Sequence, residues 1–274
     1  MSEKAFELKD VHFSYLGKFP ALCGVDIAVE KGERIAVIGA NGSGKSTLLH
    51  VLDGLLFPDK GIVKVFGKEL NEKALADEKF NRYFRSRVGL VFQNPDIQLF
   101  CPTVREEIMF GPLNFGFSHK EILEAFDAIT GIFGIKDLAD RTPHQLSIGE
   151  KRKVSMASVL ISGPDILLLD EPTAGLDPKT SRDLIDLLNE YHADGKTIIT
   201  ATHDMHIIGE IADVVYVFNH YKKIIRSSTP AELLADTKFL QENNLIHAHS
   251  HIHGDKAHVH PHGHPSHDHN HPPA

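Results

Sequence analysis

The 274-residue sequence has no tryptophan and only two cysteines. Cys23 and Cys101 lie far apart and match no metal-ligand spacing, so they are expected to be ordinary reduced residues. No stretch approaches the ~18 consecutive apolar residues of a membrane-spanning helix. The opening Met1-Ser2-Glu3-Lys4-Ala5-Phe6-Glu7 lacks the apolar core of a signal peptide. The chain is therefore expected to stay in the cytosol and to reach a membrane only through partners. Positive charge is also in deficit: the net charge is −8, which argues against nucleic acid as a partner. What remains, 42% hydrophobic and 24% charged residues, reads as one large globular domain with room for an appendage.

Histidine is in excess. Of the 19 histidines, 11 fall in the last 28 residues, which marks a boundary near Leu245. Before it, strand patterns alternate with helical ones. Phe6–Val29 reads as strands, Arg34–Ile38 as a short buried strand and Lys45–Leu56 as a helix. Glu121–Phe133, Ile148–Ile161 and Lys179–His192 have helical spacing; Asp165–Leu169, Thr197–Ala201 and Val214–Phe218 read as strands. Thr229 followed by Pro230 marks the start of a last helix. Such alternation implies an α/β fold with a mostly parallel sheet.

Gly39-Ala40-Asn41-Gly42-Ser43-Gly44-Lys45-Ser46, with Thr47 next, fits G-x-x-x-x-G-K-[ST] between a strand and a helix. Glycines let successive backbone N–H groups curl round phosphate oxygens, and the helix start adds its positive dipole end. Lys45 supplies a cation for the β- and γ-phosphates, and the Ser46 hydroxyl can ligate Mg²⁺. A chance match in this length is on the order of one per cent from average residue usage. Further on, the apolar Ile166–Leu169 ends in Asp170-Glu171. Asp170 is placed to hold Mg²⁺ and Glu171 to polarise the attacking water. Two acids after a strand are weak evidence alone; a phosphate loop upstream makes them informative.

Motif by motif, the stretch from Phe6 to Leu245 resembles the nucleotide-binding subunits of ABC transporters. That resemblance implies a P-loop NTPase of ABC type: a mostly parallel sheet core, an antiparallel β subdomain and a helical subdomain spanning about 95–162. It implies an ABC nucleotide-binding domain over 1–245, with a C-terminal helix at about 230–243. Tyr15 occupies the place of an aromatic that stacks on adenine, or else is a core aromatic. Gln93 matches the glutamine that touches Mg²⁺ and faces the membrane partner. Leu146-Ser147-Ile148-Gly149-Glu150 matches the signature segment, whose Ser147, Gly149 and Glu150 would contact an ATP held by another subunit. Asp177 ends the D-loop, and His203 matches the switch histidine that contacts the γ-phosphate. Glu171 and His203 are thus the expected catalytic residues. Ile148 and Glu150 depart from the usual Leu-Ser-Gly-Gly-Gln; Ser147 with Glu150 still makes a capping box. Isoleucine in place of glycine adds bulk where two subunits would meet.

Val91–Phe100 and Thr103–Asn114 resemble energy-coupling-factor importers. Those systems pair the ATPases with a membrane coupling protein and a substrate-binding membrane protein, and import vitamins or transition metals. The resemblance implies a second ATPase subunit, with a homodimer favoured, at the cytoplasmic face of the cell membrane. The tail, 246–274, carries His247, His249, His251, His253, His258, His260, His262, His264, His267, His269 and His271. Neutral imidazole suits Ni²⁺, Co²⁺, Zn²⁺ and Cu²⁺. Interruption by Pro, Asp and Gly argues against an engineered tag. With nothing apolar to bury, the tail is expected to be flexible without metal. ATP, Mg²⁺ and a tail-bound Ni²⁺ or Co²⁺ are the expected cofactors. A vitamin importer, a non-transport ABC ATPase and a metal store remain as alternatives. The roughly 100 residues between phosphate loop and signature leave no room for the long coiled coil of DNA-repair ABC proteins.

Overall fold

The computed structural model describes residues 3–253 and 256–262. Strands β1 (Lys4–Tyr15) and β2 (Phe19–Glu30) form a long antiparallel hairpin. After β3 (Arg34–Ile38) and helix α1 (Lys45–Leu52) come β4 (Lys60–Val65) and β5 (Lys68–Glu69), which extend the hairpin into an antiparallel sheet ordered β2-β1-β4-β5. A second sheet takes β3 with β6 (Val88–Val91), β7 (Ile166–Asp170), β8 (Thr197–Thr202), β9 (Val214–Phe218) and β10 (Ile224–Ser228). Its order is β10-β9-β3-β8-β7-β6, parallel throughout except for the antiparallel edge strand β10.

The parallel strands are apolar runs rather than alternating ones. Every residue of β7 and β8 is buried, as expected where helices cover both faces of a sheet. Helix α1 buries Leu48, Leu49, Val51 and Leu52 between the two sheets, in one core with Phe6, Leu8 and Val25. Before β6 lie α2 (Glu72–Leu75) and α3 (Glu78–Arg87). The helical region holds α4 (Pro95–Gln98), α5 (Val104–Phe115), α6 (His119–Phe133) and α7 (Ile148–Leu160), packed round Val104, Ile108, Phe126 and Val154. Then α8 (Pro178–Ala193) and α9 (Ile208–Ile211) follow.

Three details differ from the sequence reading. Helix α1 stops at Leu52 rather than Leu56, because Gly54 turns the chain at φ +64. Helix α5 is additional: Thr103 and Glu106 form a reciprocal capping box at its start, and Pro112 in its interior masks the helical pattern. The single C-terminal helix is two, α10 (Pro230–Ala235) and α11 (Thr237–Glu242). Asp236 leaves helical geometry at φ −93, ψ 68, caps α11 through the Phe239 N–H and pairs with Arg226. Leu240, Leu245 and Ile246 are buried beside Val215 and Val217, so the folded domain runs through Ile246. Beyond it the backbone of β11 (His247–His253) pairs antiparallel with β12 (Lys256–His262), placing His249 opposite His260 and His251 opposite His258. From sequence the tail is expected to bind metal and to be flexible without it; an isolated two-stranded ladder of this kind is marginal in water. His264, His267, His269 and His271 lie outside the described residues.

Candidate functional site

A cleft of about 470 Å³ opens where β3 runs into α1. The loop from Gly39 enters the helix through Gly44, at φ +112; a Cβ there would lie 2.4 Å from the Ala21 carbonyl oxygen. Only glycine fits, and β2 is thereby closed against the helix start. Lys45 is 6% exposed, and its Nζ donates to the carbonyls of Gly39 (2.8 Å) and Ala40 (3.3 Å). Burial lowers its pKa, opposed by the charges of Glu171 and Asp170. Asn41, Gly42, Gly44, Ser46, Thr47, Gln93 and Glu171 line the same cleft. Tyr15 lines its mouth, with its hydroxyl 3.2 Å from Thr47 Oγ1 and its ring edge-on to Phe13.

Topology assembles the rest. Strand β8 lies between β3 and β7, so the C-terminal ends of three neighbouring strands carry the phosphate loop, His203 and the acid pair. Asp170 Oδ1 is buried without a hydrogen-bond partner. Burial raises this carboxyl, while the Ser46 hydroxyl beside it pulls the other way. A buried carboxylate oxygen lacking a donor, next to a serine hydroxyl, is a hard-oxygen set that fits Mg²⁺. Glu171 is 5% exposed and takes φ +47, an unusual backbone for a side chain of its size. Its N–H donates to the Ala201 carbonyl at 2.9 Å. Its Oε1 lies 2.7 Å from His203 Nδ1, and Oε2 accepts from Thr202 Oγ1 at 3.1 Å.

Other candidates lie elsewhere in this single chain. Ser147 caps α7: its Oγ donates to Glu150 Oε2 at 2.8 Å, and the Glu150 N–H donates back at 3.3 Å. Ile148 beside it is 70% exposed, and nothing would lie within 4 Å of a Cβ on Gly149. Ser147, Gly149, Glu150 and Asp177 are absent from the cleft lining; Asp177 caps α8 through the Lys179 and Thr180 N–H groups.

The structure adds three residues that sequence reasoning missed. Phe19 lines the cleft 62% exposed, opposite Tyr15 in the β1–β2 register; the paired aromatics flanking Gly17 could have signalled it. Arg152, 3% exposed, donates from Nη1 to the Phe92 and Gln93 carbonyls (both 2.8 Å) and from Nη2 to the Glu171 carbonyl (2.7 Å). Lys222 reaches the cleft from the β9–β10 turn. Nothing in the charged run Lys151-Arg152-Lys153, or in a surface turn, distinguishes these two by spacing.

A parallel sheet with phosphate loop, acid pair and histidine on adjacent strand ends is a P-loop nucleotide-binding architecture. Comparison with known proteins refines that class. The family description "ABC transporter" matches residues 22–174. The chain is 47% identical over 245 residues to the nickel import ATP-binding protein NikO of Rhodobacter capsulatus, covering 88% of this chain and 96% of that protein. It is 42% identical to the energy-coupling factor transporter ATP-binding protein EcfA of Methanothermobacter thermautotrophicus, covering 87% and 75% of the two chains. Among solved structures, cbiO1 from Clostridium perfringens, part of the ABC transporter complex cbiONQ, superposes with a TM-score of 0.73 at 34% identity, covering 89% of this chain and 95% of that one. This chain belongs to the ABC transporter family, in its ATP-binding branch.

Proposed function

We propose that this chain is the ATP-hydrolysing subunit of an energy-coupling-factor-type importer for cobalt or nickel ions. The observation that carries the ATPase part is the acid pair at the end of β7. Asp170 presents a buried oxygen with no donor beside Ser46, while Glu171 is locked against His203. ATP binds with its phosphates in the Gly39–Ser46 loop, on its free N–H groups and on the Lys45 ammonium, and with adenine on Tyr15. Ser46, Asp170 and Gln93 would hold Mg²⁺, which supplies charge neutralisation between the β- and γ-phosphates. Glu171 polarises water for attack on the γ-phosphorus, and the ADP oxygen leaves with the electron pair of the broken P–O bond. His203, oriented through Nδ1 by Glu171, faces the γ-phosphate. Ser147 and Gly149 of a second copy close the site, because each copy carries its signature helix away from its own cleft. The resulting head-to-tail pair holds two ATP molecules.

Import is supported by the relatives' names and by the helical region. Ile97, Phe100 and Leu113 are 68%, 66% and 58% exposed there, more apolar surface than a solvent-facing region needs. This face suits the membrane coupling protein, so the chain sits peripherally on the cytoplasmic side. Metal as cargo rests on the similarity to a nickel import protein and on the histidine-rich tail, which would hold Ni²⁺ or Co²⁺ where import delivers it. The decisive experiment purifies the chain with its native membrane partners, identifies them by mass spectrometry, and measures ATP-driven uptake of radioactive nickel and cobalt into vesicles. Partners of another kind, or uptake of a vitamin instead, would refute the cargo.

A further inference from the structure

The β9–β10 turn is built to deliver one side chain. The Asn219 N–H donates to the Lys223 carbonyl (3.0 Å) and the Lys222 N–H to the Asn219 carbonyl (3.2 Å); Asn219 Oδ1 accepts from the Tyr221 and Lys223 N–H groups (3.0 and 3.2 Å). The turn is clamped to β2 by the Cys23 N–H, which donates to the Lys222 carbonyl at 3.0 Å. At its corner Lys222 takes φ +64, a backbone that favours glycine. A lysine held there brings its side chain out of the turn and across to the phosphate loop, where Nζ donates to the Gly42 carbonyl. Lys45 and Lys222 are the two ammonium groups lining the cleft among the described residues, and they come from opposite ends of the chain.

We propose that Lys222 is a positioning residue for the nucleotide, fixing the tip of the phosphate loop and adding a second cation at its phosphate end. The peptide unit between Gly42 and Ser43 is planar, with its C=O and N–H pointing in opposite directions. Lys222 holds the C=O from one side, and the Ala40 carbonyl accepts the Ser43 N–H at 3.1 Å on the other. The loop tip is thereby pinned at both ends of one peptide before any phosphate arrives. Pre-ordering of this kind strengthens ground-state binding and leaves the chemical step to Glu171.

The inference rests on the cleft being the ATP site, and the test separates the two. Lys222→Met removes the donor but keeps most of the apolar stem. Lys222→Gly removes the whole side chain while relieving the left-handed backbone, so its folding is not at risk. Lys222→Arg keeps charge and donor. Steady-state phosphate release by the full-length protein should show KM for ATP rising about threefold to tenfold in the Met and Gly variants, with kcat within twofold. The Arg variant should stay within about twofold of the parent KM, and the Gly variant should melt no lower than the parent. An unchanged KM in Met and Gly, an Arg variant as weak as Met, or a fall in kcat matching the rise in KM would overturn the role. Lys45→Ala serves as control. If it hydrolyses ATP normally, the cleft assignment itself fails; if it is impaired while every Lys222 variant matches the parent, only the Lys222 inference fails.

Discussion

Replacing Arg152 with methionine tests whether one buried guanidinium joins the Gln93 loop to the acid pair. Its Nη1 serves two carbonyls on the Gln93 side at 2.8 Å, and Nη2 serves Glu171 at 2.7 Å. Methionine fills similar space but donates nothing. Each buried carbonyl left unpaired costs about 1–3 kcal/mol. Gln93 itself is exposed, so water can replace the donor on that carbonyl. The Phe92 and Glu171 carbonyls remain, and the net loss should be about 2–6 kcal/mol. For a domain of this size, about 2–4 °C of Tm follows each kcal/mol, so the midpoint should fall by about 4–24 °C. Arg152→Lys keeps the charge but loses the planar fork, and should recover no more than about half. Thermal denaturation without nucleotide measures both, and ATP turnover should fall in each because Gln93 and Glu171 are no longer held in one frame. A methionine variant melting within about 2 °C of the parent, or a lysine variant equal to the parent, would refute the reasoning.

Glu171→Gln should leave ATP binding intact, cut hydrolysis by about 10²–10⁴-fold and accumulate an ATP-bound dimer on size-exclusion chromatography; near-normal turnover would remove Glu171 from its role. Burial pushes the Asp53 carboxyl up to about 7 against the pull of Arg85, whose Nη1 lies 2.9 Å away. The folded state therefore binds this proton more tightly than the unfolded chain, so stability should fall as pH rises from about 4 to about 7 and then level off. Asp53→Asn should remove that slope in denaturant titrations; an identical slope in the variant would show that other groups cause it. Truncation after Ile246 should preserve folding and ATPase activity, because Ile246 is the last buried residue described. The truncated chain should bind fewer Ni²⁺ or Co²⁺ ions by calorimetry, and in the intact chain metal affinity should fall as pH drops through about 6.5.

Legibility in the sequence followed physical locality. The strand-loop-helix that begins at Arg34 and the strand ending in Asp170-Glu171 are local patterns, and both are present where spacing put them, apart from the last turn of α1, which Gly54 cuts short. The capping box at Ser147 was readable because its two partners are three residues apart. Arg152 and Lys222 were not readable, because each acts on backbone carbonyls that sequence does not mark; Lys222 meets Gly42 from 180 positions away. Helix α5 was obscured by Pro112, although Thr103 and Glu106 announce its start. The split between α10 and α11 hinges on Asp236 preferring to cap and pair rather than continue a helix.

The central position of β3 has a consequence for how the chain is made. Both of its neighbours, β8 and β9, come from the last third of the sequence. A ribosome that has just finished Ile38 must add about 160 further residues before β8 exists, roughly 10–30 s at ordinary elongation rates. Throughout that interval Ile35, Ala36, Val37 and Ile38, fully buried at the end, have no strand beside them. Nascent chains stalled anywhere before Thr197 should be insoluble or chaperone-bound, and solubility should appear abruptly once Phe218 has cleared the exit tunnel.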